Sequence, residues 1–204
     1  MDSASLETVM MVVGFSLTAA AFIAAIWAGN KAWPAREQYL RTIEQTMQQV
    51  AEAVGGQFVV VSHDPQAHVV RNGLDVRVSV EIDHCPSDGV YTEITVALPP
   101  GRAWRTPRLR YRRVPPIDID LASPEVFERH FAGARARQLT ETVRKRLLQL
   151  AQQDCLVQLH DRELVMFVSM PDPSTGRRTF LTDVQRQRVL VDAVTLMAAD
   201  LIAG

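Results

Sequence analysis

From Thr8 to Asn30 the chain runs for 23 residues without a charge. At about 1.5 Å of rise per helical residue that run spans roughly 34 Å, against a bilayer hydrocarbon core of about 30 Å. Val9, Met10, Met11, Val12 and Val13 begin its apolar part, and Phe15, Leu17, Phe22, Ile23, Ile26 and Trp27 continue it among Ala and Gly. It is too long for the apolar region of a signal peptide, and the residues before it carry Asp2 and Glu7 but no Lys or Arg. The pattern predicts a transmembrane helix over 8–30 behind a short N-terminus, 1–7. Trp27 and Trp33, at the far end, suit the headgroup level.

Beyond the span the periodicity changes. Pro34 suits a first helical turn, and Leu40, Ile43, Met47, Val50 and Val54 then recur at three- and four-residue steps until Gly55-Gly56 stops them. This predicts a juxtamembrane amphipathic helix within 31–56. Its stripe either packs on the chain's own domain or extends a membrane dimer outward; two heptads do not specify a coiled coil. Phe58 to Val61 reads as a short strand. Val76, Val78, Val80 and Ile82 alternate with polar residues, as do Val90, Thr92, Ile94, Val96 and Leu98 after the turn-rich Pro86-Ser87-Asp88-Gly89. That is an antiparallel hairpin with one buried face.

Pro99-Pro100-Gly101 breaks the alternation, and Leu109 to Val114 predicts a further strand. Ser123-Pro124 is a cap and first-turn pair for a short helix through Phe127 and Phe131. Leu139, Val143, Leu147 and Leu150 stripe a longer helix over 138–152. A second hairpin follows, Leu156–Leu159 with Leu164–Met170. Thr182 and Gln185 have capping-box spacing before a last helix that turns Leu190, Val194, Met197 and Leu201 inward. The expected fold class is α+β: an N-terminal transmembrane helix, then a domain over 57–204 of antiparallel strands packed by three or four helices. His63-Asp64 and His160-Asp161, each at a strand end behind a helix, give the halves a loose common rhythm.

Orientation follows from charge. Lys31, Arg36 and Arg41 lie just after the span and no basic residue precedes it. The positive-inside bias therefore places the N-terminus outside and the C-terminal domain in the cytoplasm, at the inner (cytoplasmic) membrane as a single-pass protein. The two cysteines, Cys85 and Cys155, are too few for a disulfide framework. Ala20, Ala24 and Ala28 form a small-residue stripe that would let two spans approach as a homodimer; the plainer reading is that Ala fills spans generally.

The formal net charge of −1 conceals an asymmetry. Between Arg102 and Arg146 there are 12 basic and 5 acidic residues, a net of +7, and the rest of the chain carries −8. Within this block Arg102, Arg105, Arg108, Arg110, Arg112 and Arg113 cluster, with Trp104 and Tyr111 between them. On a strand Arg108, Arg110 and Arg112 share one face. Such a row would meet phosphates of acidic lipid or an acidic protein partner. The competing reading is a solvated face, or pairing with Asp118 and Asp120. Nucleic acid is the weaker candidate partner, because no recognition helix or RNA-binding signature accompanies the charge.

Catalytic chemistry lacks landmarks. The potential metal ligands are His63, His68, His84, Cys85, Cys155 and His160. Cys155 and His160 are five apart and His84 and Cys85 are adjacent, so on strands each pair diverges and no metal site is expected. No Gly-x-Ser-x-Gly elbow, phosphate-binding loop or dinucleotide fingerprint occurs. Cys155 reads as a small buried apolar residue. No cofactor is expected, and an enzyme is less favoured than a non-enzyme.

The layout of the second half, with Phe127 and Phe131, a helix of the Thr140–Leu150 type, a hairpin and a Leu/Val/Ala-rich last helix, completes a pattern begun by the span and the Ala53-Val54-Gly55-Gly56 lead into the sheet. It resembles bacterial single-span membrane proteins with a C-terminal domain of unknown function. The resemblance is one of layout and implies no activity and no site residues. The expectation is a membrane-anchored interaction or scaffold module whose positive segment docks acidic lipid or a protein. The alternatives are a membrane-tethered enzyme with an unadvertised pocket, or an auxiliary subunit of a membrane complex.

Overall fold

The computed structural model describes residues 36–82, 89–99, 110–111, 115–120, 122–132, 139–160, 162–172 and 176–203. The chain divides into two compact units, Met1–Ile43 and Glu44–Gly204. The run over 8–30 lies outside the described residues, and no described helix is long and apolar enough to cross a membrane. The first unit's described residues, 36–43, are helical.

The second unit is α+β. Its first helix, α1, covers residues 44–54, and Met47, Val50 and Val54 on it are buried. The stripe from Met47 onward is thus used inside the chain's own fold. Gly55 and Gly56 end the helix by a two-bond cap: Gly56 N–H donates to Ala51 O at 2.8 Å and Gly55 N–H to Glu52 O at 3.2 Å. Gly55 has a φ of +71°, and at Gly56 a Cβ would run into the carbonyl of His68. The chain then enters β1 (Gln57–Val61).

Among the described residues five antiparallel pairings build one six-stranded sheet in the order β1-β2-β3-β4-β8-β7. Its other strands are β2 (Asp64–Arg71), β3 (Leu74–Ile82), β4 (Val90–Ala97), β7 (Leu156–Leu159) and β8 (Glu163–Val168). The β3–β4 hairpin matches the expected alternation. Strand β2 was not anticipated, because Pro65, His68 and Arg71 dilute its pattern. Its turns explain it. Ser62 and His63 (φ 51° and 77°) and Asn72 and Gly73 (φ 53° and 76°) are two-residue turns in the left-handed region, closing Val61 on Asp64 and Arg71 on Leu74.

Helices α3 (Glu141–Gln152) and α4 (Val184–Ala203) pack on one face, over Val76, Val78, Ile94, Val96, Leu164, Met166 and Val157, and the end of α1 reaches that face at Arg71. Arg71, on that face, ties two of them: its Nε donates to Asp192 Oδ1 of α4 at 3.0 Å and its Nη1 to Val54 O of α1 at 3.4 Å. Helix α2 (Pro124–His130) packs on α3, capped by Ser123 Oγ, which accepts from Val126 N–H at 3.3 Å. With α1 these are the four helices among the described residues.

Two expectations shift in detail. The last helix is capped by Asp183, whose Oδ1 accepts Arg186 N–H at 3.0 Å, and not by Thr182, whose hydroxyl lies 3.8 Å from Met170 Sδ. The predicted strand over 109–114 has Arg110–Tyr111 as its described part, β5, paired with β6 (Phe131–Ala132). A small ribbon of β9 (Met170–Pro171) and β10 (Arg178–Thr179) leads into α4.

Candidate functional site

The positive block falls into three stretches: the Arg102–Arg113 cluster, then Arg129, Arg135 and Arg137, then Arg144–Arg146. At its C-terminal end the cations are engaged within the fold. Arg146 Nε meets Asp200 Oδ2 of α4 at 2.7 Å. Lys145 Nζ meets Glu141 Oε1 one turn back at 2.6 Å, and this ammonium holds the Glu141 carboxyl below its usual range. Arg144 is buried, its Nη1 donating to Leu139 O at 2.6 Å and its Nη2 to Ala122 O at 3.5 Å. It binds the lead into α2 to the start of α3, and sequence periodicity gave no sign of it.

At the N-terminal end of the block, Arg102, Arg105, Arg108, Arg112 and Arg113 lie outside the described residues. Arg110 is in β5, its backbone opposite Ala132 with β7 alongside. Of the acidic residues set against the cluster in the competing reading, Asp120 is engaged locally, accepting Ala122 N–H at 2.9 Å, and Asp118 is exposed.

The nucleophile and ligand candidates are dispersed. Cys155 is fully buried at the start of β7, and burial pushes its thiol up to about 12; its Sγ lies 3.8 Å from Gln153 O. Burial of that kind disfavours the thiolate, the form that attacks or ligates. His63 is a turn residue and His160 closes the β7–β8 turn, donating its N–H to Glu163 O at 2.8 Å. His68 points from the sheet with Nε2 3.0 Å from Gln66 Oε1. Among the described residues no three His, Cys, Asp or Glu side chains gather as metal ligands. His84 and Cys85 lie outside them.

A depression of about 290 Å³ lies beside the β9–β10 ribbon, lined by Asp154, Ser169, Met170, Pro171, Gly176 and Arg178. Its guanidinium is already spanned: Arg178 meets Asp154 Oδ2 at 3.1 Å and Ser169 Oγ at 3.0 Å. Asp154 itself sits at φ +60° where α3 ends, so the depression is built from a helix stop and its brace.

The second face of the sheet is distinct. Its rows, read across the strands, are His68, Arg77, Thr95, Val165, Gln158, then Ser79, Glu93, Phe167, Leu156, then Glu81 and Tyr91. Arg77 Nη2 meets Glu93 Oε1 at 3.1 Å, Thr95 Oγ1 donates to the same carboxylate at 2.9 Å, and Tyr91 packs edge-on to Phe167 at 6.4 Å. This is a mixed polar and aromatic face opposite the helical layer, and Ser79, Thr95 and Val165 on it are buried. In comparisons with protein families, curated proteins and solved structures, the chain matches none.

Proposed function

We propose that this chain is a membrane-tethered, non-enzymatic interaction module. The uncharged run over 8–30 holds it in the bilayer, and the Arg102–Arg113 segment docks an acidic surface, with inner-leaflet lipid as the favoured partner. The observation that carries the reading is the division of the positive block. Arg144, Lys145 and Arg146 have partners within the fold, and of the nine other cations of the block six are gathered in the Arg102–Arg113 cluster, its densest part. Arginine suits phosphate because its planar fork donates in pairs. The interaction-module reading also accords with a thiol that burial keeps protonated and a guanidinium in the depression that already has its partners.

The experiment is vesicle co-sedimentation of a chain beginning at Arg36, at low salt, with vesicles rich in an anionic phospholipid. A basic residue near an anionic surface contributes about 1 kcal/mol, so exchanging Arg108, Arg110 and Arg112 for Glu should weaken binding by roughly 100-fold or more. Raising the salt should act in the same direction. Unchanged binding in the triple variant would remove the lipid reading.

A further inference from the structure

Strand β1 offers an uncharged edge. Its sequence, Gln57-Phe58-Val59-Val60-Val61, holds no charge and no proline, the devices by which exposed sheet edges are normally kept from pairing. Val60 is 56% exposed and Val61 47%. Among the described residues the strand lies at the end of the sheet, with β2 on its inner side.

The phase of its hydrogen bonds is fixed by the turn that follows. In a two-residue hairpin the closing pair, here Val61 and Asp64, is the bonded one, and bonded and non-bonded pairs then alternate. Val59–Gln66 and Gln57–His68 are therefore bonded to β2. Phe58 and Val60 stand opposite Ala67 and Pro65 at non-bonded positions and direct their N–H and C=O groups to the outer edge. Pro65, with no N–H, stands where β1 requires none.

We infer that two copies join antiparallel through these outward groups, about a two-fold axis at Val59. In that register Phe58 exchanges both bonds with Val60 of the second copy, and Val60 with its Phe58. Val59 faces Val59 as the non-bonded pair on the axis, and Gln57 faces Val61. All five strand residues are paired, and the exposed Val60 side chain covers Phe58 across the junction. One step further, the Ser62-His63 turn of each copy falls beside Gly56 and Gly55 of the other, which carry no Cβ. A foreign strand would meet no charge here to select it, whereas a second copy matches the edge at every position. The inference is independent of the lipid-docking reading.

A five-residue edge falls well short of the roughly 1,200 Å² at which soluble complexes become stable, so the contact is read by trapping it. A non-bonded antiparallel pair has Cα atoms about 4.5 Å apart, within disulfide range, while residues displaced from the axis exceed about 7 Å. The full chain carrying Val59→Cys is oxidised mildly in membranes and run on a non-reducing gel, beside Val61→Cys, Val70→Cys on β2, and the unsubstituted chain. The expected result is a disulfide dimer at Val59→Cys at least ten-fold above the other three, lost when Val60→Lys is added. Since Val60 is largely exposed, that lysine leaves the fold intact, which the chain's unchanged thermal midpoint verifies. Equal yields at Val59, Val61 and Val70, or a Val59→Cys dimer that survives Val60→Lys, would overturn the inference.

Discussion

The backbone N–H of Leu181 donates to Thr92 Oγ1 at 2.8 Å, joining residues 89 apart in sequence, and both are almost wholly buried. The bond secures the segment between β10 and α4 to the middle of the sheet. Just beyond, Gln187 Nε2 donates to Leu181 O at 2.5 Å, so both backbone groups of Leu181 are satisfied by side chains. A buried amide left without a partner costs about 1–3 kcal/mol. Thr92→Val, which preserves shape but removes the acceptor, should therefore destabilise the fold by about 2 kcal/mol. The thermal midpoint should fall by roughly 4–8 °C. A shift under 1 °C would mean that the amide is satisfied elsewhere.

Two neighbouring backbone positions should respond in opposite directions. At Gly56 a Cβ would collide with the His68 carbonyl and stand 2.9 Å from Val69 Cβ, in backbone that cannot yield without moving β2. Gly56→Ala should cost about 3 kcal/mol. His63, by contrast, holds a φ of 77° that an L-residue adopts at a cost of about 1 kcal/mol. The pair Ser62→Asn and His63→Gly should raise stability by about 1 kcal/mol, seen as a rise of roughly 2–4 °C in the thermal midpoint.

Burial of Cys155 makes a prediction about pH. Its thiol is raised from 9.0 to about 12 in the fold, chiefly by desolvation, so the folded state disfavours the thiolate. The stability tied to this is fully present below pH 9 and is lost as pH rises from 9 towards 12, where the unfolded chain ionises and the folded chain resists. In a Cys85→Ser background, a thiol reagent at pH 8 should label the native protein slowly, at the rate of opening, and the denatured protein at once. Rapid labelling of the native chain would contradict the burial.

What the sequence disclosed followed the strength of local signals. The β3–β4 hairpin and the stripe Leu190, Val194, Met197 and Leu201 were legible because period-two and period-3.6 alternation ran for many residues. The α1 stop was legible from Gly55-Gly56. Strand β2 was missed although Asn72-Gly73 lies behind it, since Pro65 and His68 hide the alternation and only the turn dipeptide marks the hairpin. Arg144 was also invisible: its role depends on carbonyls of Leu139 and Ala122, and the second of these is set by tertiary position. Asp154 likewise takes the left-handed position that glycine takes after α1, so the second helix stop lacked its usual residue. Both helix stops lead into terminal strands, β1 and β7, which gives the loose rhythm of the two halves a local physical form.

The candidate site was legible as charge and not as geometry. The cluster from Arg102 to Arg113 stands out in composition, yet composition alone does not separate it from Arg144, Lys145 and Arg146. Only the partners Leu139 O, Glu141 and Asp200 make that separation.

The most direct measurement of the central claim is the topology of the full chain in a bacterial inner membrane. A C-terminal tag is exposed to protease in intact spheroplasts and in inverted vesicles, after an alkaline carbonate wash. The account predicts a chain that stays in the washed membrane, with its tag protected in spheroplasts and cleaved in inverted vesicles. A chain released by carbonate, or a tag cleaved in intact spheroplasts, would contradict a cytoplasmic module tethered by residues 8–30.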